Sequence, residues 1–259
     1  MTLSTFSKTS IAALMLASAS ASATIVEFTT SHGNFTVNLH DETTPETVSN
    51  FLKYINDGDY NNTVVHRVVP EFVMQAGGYE FSGALPLTAI PTDSAIQNEP
   101  VYSNVRGTIA MAKVSGNENS ATSQWFVNLV DNSGGTAALD SQNGGFTVFG
   151  EITEGMENVD AISALSLCGT TPMPNYTSEQ CSDTTFVPGT ENFVTIETVT
   201  IIDSTVNTAD SLAGVKNTSV PVTTPTTPTT PTSNSSGSGS IAWFGLFFTG
   251  LIALRRRFK

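Results

Sequence analysis

The apolar residues between Thr24 and Ile202 fall in short runs broken by turn-forming residues, and this spacing limits what the chain can fold into. Residues 24–30 (TIVEFTT) and 34–39 (NFTVNL) alternate in polarity like half-buried strands. Ser31, His32 and Gly33 leave room only for a tight turn between them, so the chain opens on a hairpin. Further strand-like runs cover residues 64–69, 72–74, 108–112, 125–129, 146–152 and 193–202. Two segments change period. Val48, Phe51, Leu52 and Ile55 recur at helical spacing, with Thr44 as a cap, Pro45 in the first turn and Gly58 as a stop. A second helix is expected over about residues 156–165. Many short strands with two helices and one core predict a closed β-barrel capped at its ends. The pattern alone does not fix the number of strands.

Residues 65–78, VHRVVPEFVMQAGG, place Arg67 between a histidine and an apolar run that ends in glutamine and two glycines. Positive charge is scarce here. The chain has 10 Lys and Arg against 23 Asp and Glu. Lys8, Arg255, Arg256, Arg257 and Lys259 lie in terminal segments, which leaves Lys53, Arg67, Arg106, Lys113 and Lys216. The region between carries about eighteen net negative charges, five positive against 23 negative. That balance argues against nucleic acid, whose binding needs clustered Lys and Arg, and against adsorption to anionic lipid. It fits solubility in a salty exterior, where repulsion is screened. An arginine in an apolar setting of so acidic a chain needs a reason, because it cannot shed its charge and offers five fixed donors.

The segment 65–78 resembles the arginine motif of cyclophilin-type peptidyl-prolyl cis–trans isomerases. Residues 106–129 (RGTIAMAKVSGNENSATSQWFVNL) and 146–162 (FTVFGEITEGMENVDAI) resemble two further blocks of that family, in the right order and spacing. The resemblance runs from about residue 24 to about residue 203. It implies a mainly β fold, a closed eight-stranded antiparallel β-barrel capped by two α-helices. It also implies a monomer that isomerises X–Pro bonds of proline-containing polypeptides without cofactor or metal.

Residue by residue, the resemblance makes Arg67 the catalytic arginine and Gln75 the amide that positions it. Phe72, Val73, Phe126, Leu139 and Phe146 correspond to the proline pocket and its border. Ala112 and Lys113 fall where backbone groups bind the substrate beside the proline. Gln124 matches a polar residue of the groove, and His66 a histidine on its rim. The bland alternatives are that Phe72 and Phe126 are plain core, that Gln75 satisfies a buried backbone group, and that Arg67 pairs with Glu71. Several positions depart from the family pattern. Val73 replaces a common methionine, Ala76 a glycine, and Lys113 an asparagine. Phe146 stands where histidine or tyrosine is frequent. Ala138 replaces an aromatic important for cyclosporin binding in many members. A second function fits the same motifs: a chaperone or surface adhesion module that binds proline segments with little turnover.

The ends of the chain read as targeting segments. Lys8, the apolar run 11–19 and Ala21-Ser22-Ala23 form a tripartite secretory signal over residues 1–23. The isomerase domain is expected over 24–204, and a Thr/Pro/Ser/Gly-rich linker over 205–240. Residues 241–254 (IAWFGLFFTGLIAL) form an uncharged apolar stretch, followed by a basic end to residue 259. A helix of this length is short for a bilayer. It could anchor the protein, or serve as a C-terminal sorting signal that a membrane protease removes. In a GlyGly-type signal paired glycines are expected, and this chain has SSGSGS at 235–240. Either way the protein would meet the membrane through this segment, and the domain would lie in the periplasm or at the cell surface. An exported chain with Cys168 and Cys181 in a turn-rich loop predicts a disulfide between them. That loop lies far in sequence from Arg67, so it is expected to be independent of the site.

Overall fold

The structure is a computed structural model that describes residues 23–206, 212 and 214–220. In chain order the elements are β1 (Ala23–Thr30), β2 (Phe35–Leu39), α1 (Pro45–Asp57), β3 (Thr63–Val64), β4 (Arg67–Val69), β5 (Val73–Ala76), β6 (Tyr79–Glu80) and β7 (Thr88–Ala89). There follow β8 (Thr108–Met111), β9 (Trp125–Asn128), β10 (Val148–Glu154), α2 (Met156–Ser163), β11 (Leu167–Cys168), β12 (Thr171–Pro172), α3 (Ser178–Ser182) and β13 (Thr195–Val206). The opening hairpin pairs Phe28 with Phe35 and Val26 with Val37, as the alternation requires.

The main sheet is antiparallel, in the order β4-β5-β9-β8-β10-β2-β1-β13-β3-β6-β7. Its ends approach within one stretch of chain. The Val65 amide donates to Val194 O at 2.9 Å, and the next amide, His66, donates to Gln75 O at 3.2 Å. The run therefore changes partner between β3 and β4, and the sheet curls round on itself. Eight strands were expected, and the sheet has 11. The change of partner divides one run into two, and the two-residue strands β6 and β7 extend one edge.

The core is aromatic. Phe28 stacks on Phe35 at 4.4 Å and meets the Trp125 ring edge-on at 5.0 Å. Helix α1 closes this core with Val48, Phe51 and Tyr54, all buried. Phe51 lies 4.9 Å from Phe149, and burial of such a side chain contributes about 1.5–3 kcal/mol. Gly58 ends α1 in the left-handed region, at φ 78°. The expected Thr44 cap does not form, because its hydroxyl donates backward to His40 O at 3.1 Å. Glu99 takes that role from 52 residues away: its carboxylate accepts from the Thr47 amide at 2.9 Å and the Thr47 hydroxyl at 2.7 Å. A negative charge at a helix N-terminus also meets the dipole favourably. The short helix α3 was not expected, although Thr177 and Gln180 form a reciprocal capping box at its start.

Cys168 and Cys181 are joined, with Cα atoms 5.6 Å apart. Among the described residues no helix is long and apolar enough to cross a membrane. The apolar runs 11–19 and 241–254 lie outside the described residues.

The folded chain continues past the expected boundary at 204. Residues 214–220 lie along the segment before β8. Ser103 N donates to Val215 O at 2.8 Å and Asn217 N to Val101 O at 3.0 Å. Lys216 sits 4.0 Å over the Tyr102 ring, and buried Asn217 donates through Nδ2 to Asp140 O at 2.9 Å. What composition marks as linker is, at its start, a strap. A chain ending at 204 should therefore be less stable than one ending at 220. Loss of the Asn217 bond leaves a buried acceptor and costs about 1–3 kcal/mol, with a Tm drop of roughly 2–4 °C per kcal/mol for a domain of this size. Thermal unfolding of the two chains measures this, and equal Tm values would show that the strap contributes nothing.

Candidate active site

The site is a product of strand register. Arg67 pairs with Gln75 across β4 and β5, Gln75 with Phe126 across β5 and β9, and Phe126 with Ala110 across β9 and β8. Paired residues of an antiparallel ladder point to the same face, so these four form one row. Their sequence neighbours Val68, Met74, Val127, Ile109 and Met111 point the other way, into the main core. The row and its flanks form a separate apolar cluster of Val73, Ala110, Phe126, Leu139 and Val148 on the outer face of the curled sheet. Phe126 and Phe72 are thus not part of the barrel core, and Arg67 stands beside the cluster they form.

A cavity of about 240 Å³ opens over this cluster. Arg67, Phe72, Val73, Gln75, Ala112, Lys113, Phe126, Leu139 and Phe146 all line it. Gln142 lines it as well and was not anticipated. It sits in a 3-10 turn, Gln142–Gly144, in a Gly- and Ser-rich loop that carries no periodic signal. Gln124 does not face this cavity. It lines an adjoining depression with Gln75, Ala112, Lys113, Val114, Ser120 and Thr122.

Gln75 joins the two. Arg67 Nη1 donates to Gln75 Oε1 at 3.3 Å, and Gln75 Nε2 donates to Gln124 Oε1 at 2.8 Å. No carboxylate of the described residues forms an ion pair with Arg67, so the alternative of a pair with Glu71 is not realised. Gly77 and Gly78 allow β9 this close. A Cβ on Gly78 would lie 2.6 Å from Gln124 Cγ, and one on Gly77, at φ +75°, would lie 2.6 Å from Trp125 Nε1.

His66, expected on the rim, is not among the residues that line the cavity. Arg67, the next residue, takes the pocket side, and the His66 ring packs edge-on against Tyr79 at 4.8 Å. Burial lowers its pKa to about 4; the Arg67 charge pushes the same way, while hydrogen bonding to Val64 and Gln124 opposes the shift. The imidazole is therefore neutral near pH 7 and has no charge to lend the site.

The far wall is a loop held from behind. Leu139 N donates to Asn132 O and Phe146 N to Leu139 O, each at 2.9 Å. Asn132 Nδ2 donates to Phe72 O at 2.9 Å, and Asn104 Nδ2 to Phe146 O at 3.1 Å. Ala138 has a left-handed backbone, φ 45°, and is not among the cavity residues. The Lys113 side chain reaches the same loop. Its Nζ donates to Asn143 O at 2.8 Å and Gly145 O at 2.7 Å, and lies 4.8 Å over the Phe146 ring.

The disulfide-closed loop is not independent of the site. Val68 N donates to Thr170 O at 2.6 Å, and the Thr171 hydroxyl donates to His66 O at 2.9 Å. The two contacts fall on either side of Arg67. Distance along the chain hid this, because the hairpin of β11 and β12 folds back onto β4.

The family described as cyclophilin type peptidyl-prolyl cis-trans isomerase/CLD matches residues 25–182. Peptidyl-prolyl cis-trans isomerase A of Dickeya dadantii (strain 3937) is 39% identical over 172 residues, which cover 66% of this chain and 87% of that protein. Peptidyl-prolyl cis-trans isomerase B of Escherichia coli (strain K12) is 40% identical over 143 residues, 55% of this chain and 85% of that protein. The crystal structure of a cyclophilin type isomerase from Cryptosporidium parvum superposes with a TM-score of 0.50 at 19% identity, covering 71% of this chain and 99% of that one, and shows the shared fold. The chain belongs to the cyclophilin-type peptidyl-prolyl cis–trans isomerases.

Lys113 gives the pocket a pH dependence. Burial lowers its pKa from 10.5 to about 8, partly opposed by Glu118. Above that pH the ammonium loses its charge, and its contacts to the loop carbonyls and the Phe146 ring weaken. Affinity for a proline peptide should be level below pH 8 and fall by roughly two- to fivefold above it, the worth of an exposed cation–π contact. Stability moves the other way. The folded pKa lies below 10.5, so between about 8 and 10.5 the unfolded chain binds the proton more tightly, and this group's contribution to stability rises with pH. Peptide titrations from pH 6.5 to 9.5 measure the first effect. Lys113→Met should bind more weakly and without the inflection, and an inflection that survives in this variant belongs to another group.

Proposed function

We propose that Arg67, standing beside the apolar cavity, is the catalytic group of this isomerase and that its substrates are proline-containing segments of exported proteins. The activity follows from the family: acceleration of X–Pro cis–trans isomerisation. The uncatalysed reaction takes tens to hundreds of seconds, with a barrier of about 20 kcal/mol set by amide resonance. No bond to the enzyme is required. The site must bind the twisted amide more tightly than either planar form.

The geometry supports this division of labour. Phe72, Val73, Phe126, Leu139 and Phe146 line the cavity and would grip the proline ring. In the twisted state the proline nitrogen becomes pyramidal and basic. The Arg67 guanidinium, oriented by a neutral amide and, among the described residues, without a carboxylate partner, keeps donors for that nitrogen. Donors fixed in advance where charge develops stabilise the transition state selectively. The single observation that carries this reading is the row Arg67, Gln75, Phe126, which puts a cation at the edge of an apolar pocket.

Arg67→Ala should leave the fold intact and lower kcat/KM at least tenfold, about 1.4 kcal/mol of transition-state stabilisation. A protease-coupled peptide assay measures it. A folded variant with undiminished turnover would remove Arg67 from the mechanism. A wild-type chain that binds proline peptides but does not turn them over would favour the binding-module reading.

The cellular setting belongs to the same proposal. Residues 1–23 act as a secretory signal, and 241–259 bring the chain to the inner membrane as an anchor or a sorting signal. The disulfide fits an oxidising compartment. Mass spectrometry of the mature C-terminus separates the two fates. A chain ending within 235–240 has been processed. One still ending at Lys259 in the membrane fraction is tethered. Soluble full-length protein with its tail intact would contradict both.

A further inference from the structure

Among the described residues the Arg67 side chain is held by one long hydrogen bond, 3.3 Å to Gln75, at the far end of four rotatable bonds. Such a contact is too weak to fix the guanidinium by itself. The position must come largely from the backbone that carries it. Strand β4 has β5 on one edge only, since it ends the sheet order. On its other edge His66 O and Val68 N point outward, one on each side of Arg67. Both are satisfied from the same hairpin turn: Val68 N donates to Thr170 O at 2.6 Å, and the Thr171 hydroxyl donates to His66 O at 2.9 Å.

That turn is itself held in three ways. Cys168 pairs with Thr171 across β11 and β12. The disulfide ties Cys168 to Cys181 in α3. Met173, buried, packs with Val64 and Phe193 under the sheet. This disulfide-closed segment, the insert, thus caps the free edge of β4 with two hydrogen bonds. Its two contacts clamp the residues before and after Arg67.

Resting on the isomerase reading above, we propose that Thr171 is a positioning residue for Arg67, and that the disulfide-closed insert is the clamp through which it acts. The Thr170 contact uses a backbone carbonyl that any residue could supply. The Thr171 contact uses a side-chain hydroxyl, so the clamp depends on residue type there. Small displacements of a catalytic group are costly, since about 1 Å can cost on the order of a hundredfold in rate. Apart from Arg67 itself, the cavity is lined by residues of β5, β9 and the loops that carry Phe72, Ala112, Lys113, Leu139 and Phe146, whereas the two clamp contacts fall on His66 and Val68. Loosening the clamp should therefore impair the transition state and spare ground-state binding.

The test uses the whole domain, residues 24–220. Thr171→Val keeps the shape and removes the hydroxyl. It should lower kcat by about fivefold or more while the Kd for a proline peptide changes less than about twofold, the signature of an interaction made only in the transition state. Thr171→Ser restores the donor and should restore turnover. In an Arg67→Ala background, Thr171→Val should change nothing further, because residues acting as one unit are not additive. The joint Cys168→Ser and Cys181→Ser variant should show the same kinetic split. Wild-type turnover in Thr171→Val, or an additive loss in the Arg67→Ala background, would overturn the clamp. If the wild-type chain itself lacks turnover, the isomerase reading fails, and NMR still judges the clamp. Thr171→Val should then speed exchange of the Val68 amide and shift the Arg67 Nε–H resonance, and two unchanged signals would reject it.

Discussion

The pocket depends on a network of buried amides behind it. Asn104, Asn128, Asn132 and Asp140 are each at most 3% exposed. Asn128 Nδ2 donates to Thr108 Oγ1 at 2.9 Å, and Asn132 Nδ2 donates to Asn128 Oδ1 at 2.8 Å. Asn104 presents both its amide and its side chain to Asp140 Oδ1, at 2.7 and 3.1 Å. From this cluster bonds reach Phe72 O and Phe146 O, and both residues line the cavity. The strap joins it through Asn217, which donates to Asp140 O. Buried polar groups of this kind are costly unless satisfied, and satisfied they fix a unique arrangement. Two pocket walls that sit on loops are thereby as well determined as if they sat on strands.

The sheet makes the complementary contribution. A strand presents its residues alternately to its two faces, and here both faces are used. Ile109, Met111, Met74 and Val127 fill the interior. Ala110, Val73 and Phe126, which alternate with them, build the outer cluster. Arg67 and Gln75 fall in register with Phe126, so the polar and apolar halves of the site share one row. A one-residue slip of β5 would send Gln75 and Val73 inward and bring Met74 out. The register that packs the core is therefore the register that assembles the site.

Much of this was legible in the chain. Alternation locates the hairpin, and short apolar runs between turn formers locate the strands around 108–112 and 125–129 and the run to 202, because these signals are written locally. Helix α1 was equally plain in Val48, Phe51, Leu52 and Ile55. Arg67, Gln75, Phe72 and Phe126 stood out through resemblance and through the scarcity of positive charge. What escaped were contacts between residues remote in sequence. Glu99 replaces Thr44 at the start of α1, and no local rule links the two. Gln142, the amide network and the strap rest on loops whose residues are ordinary turn formers. The docking of Thr170 and Thr171 beside Arg67 exists only because a hairpin whose Thr171 lies 105 residues beyond His66 folds back to an edge strand. For His66 the motif gives position along the chain and does not foretell that its ring packs against Tyr79.

The charge pattern gains its meaning at the site. Among the described cations, Lys53 is taken by Asp57 and Asp93, and Arg106 by Asp160. Lys216 lies over Tyr102, and Lys113 is spent on the loop carbonyls. Arg67 is held by a glutamine. In a chain with 23 carboxylates, that choice of partner matters. A carboxylate at position 75 would orient the guanidinium more firmly through a charge-assisted bond. It would also neutralise the positive field on which the role proposed for Arg67 depends. A neutral amide orients without quenching, and Gln75 can do so because its own NH2 is passed on to Gln124. Weak side-chain holding is the consequence, as the 3.3 Å distance shows. In the clamp proposed above, the backbone of β4 carries the precision that the side chain lacks, through its two flanking bonds to the hairpin.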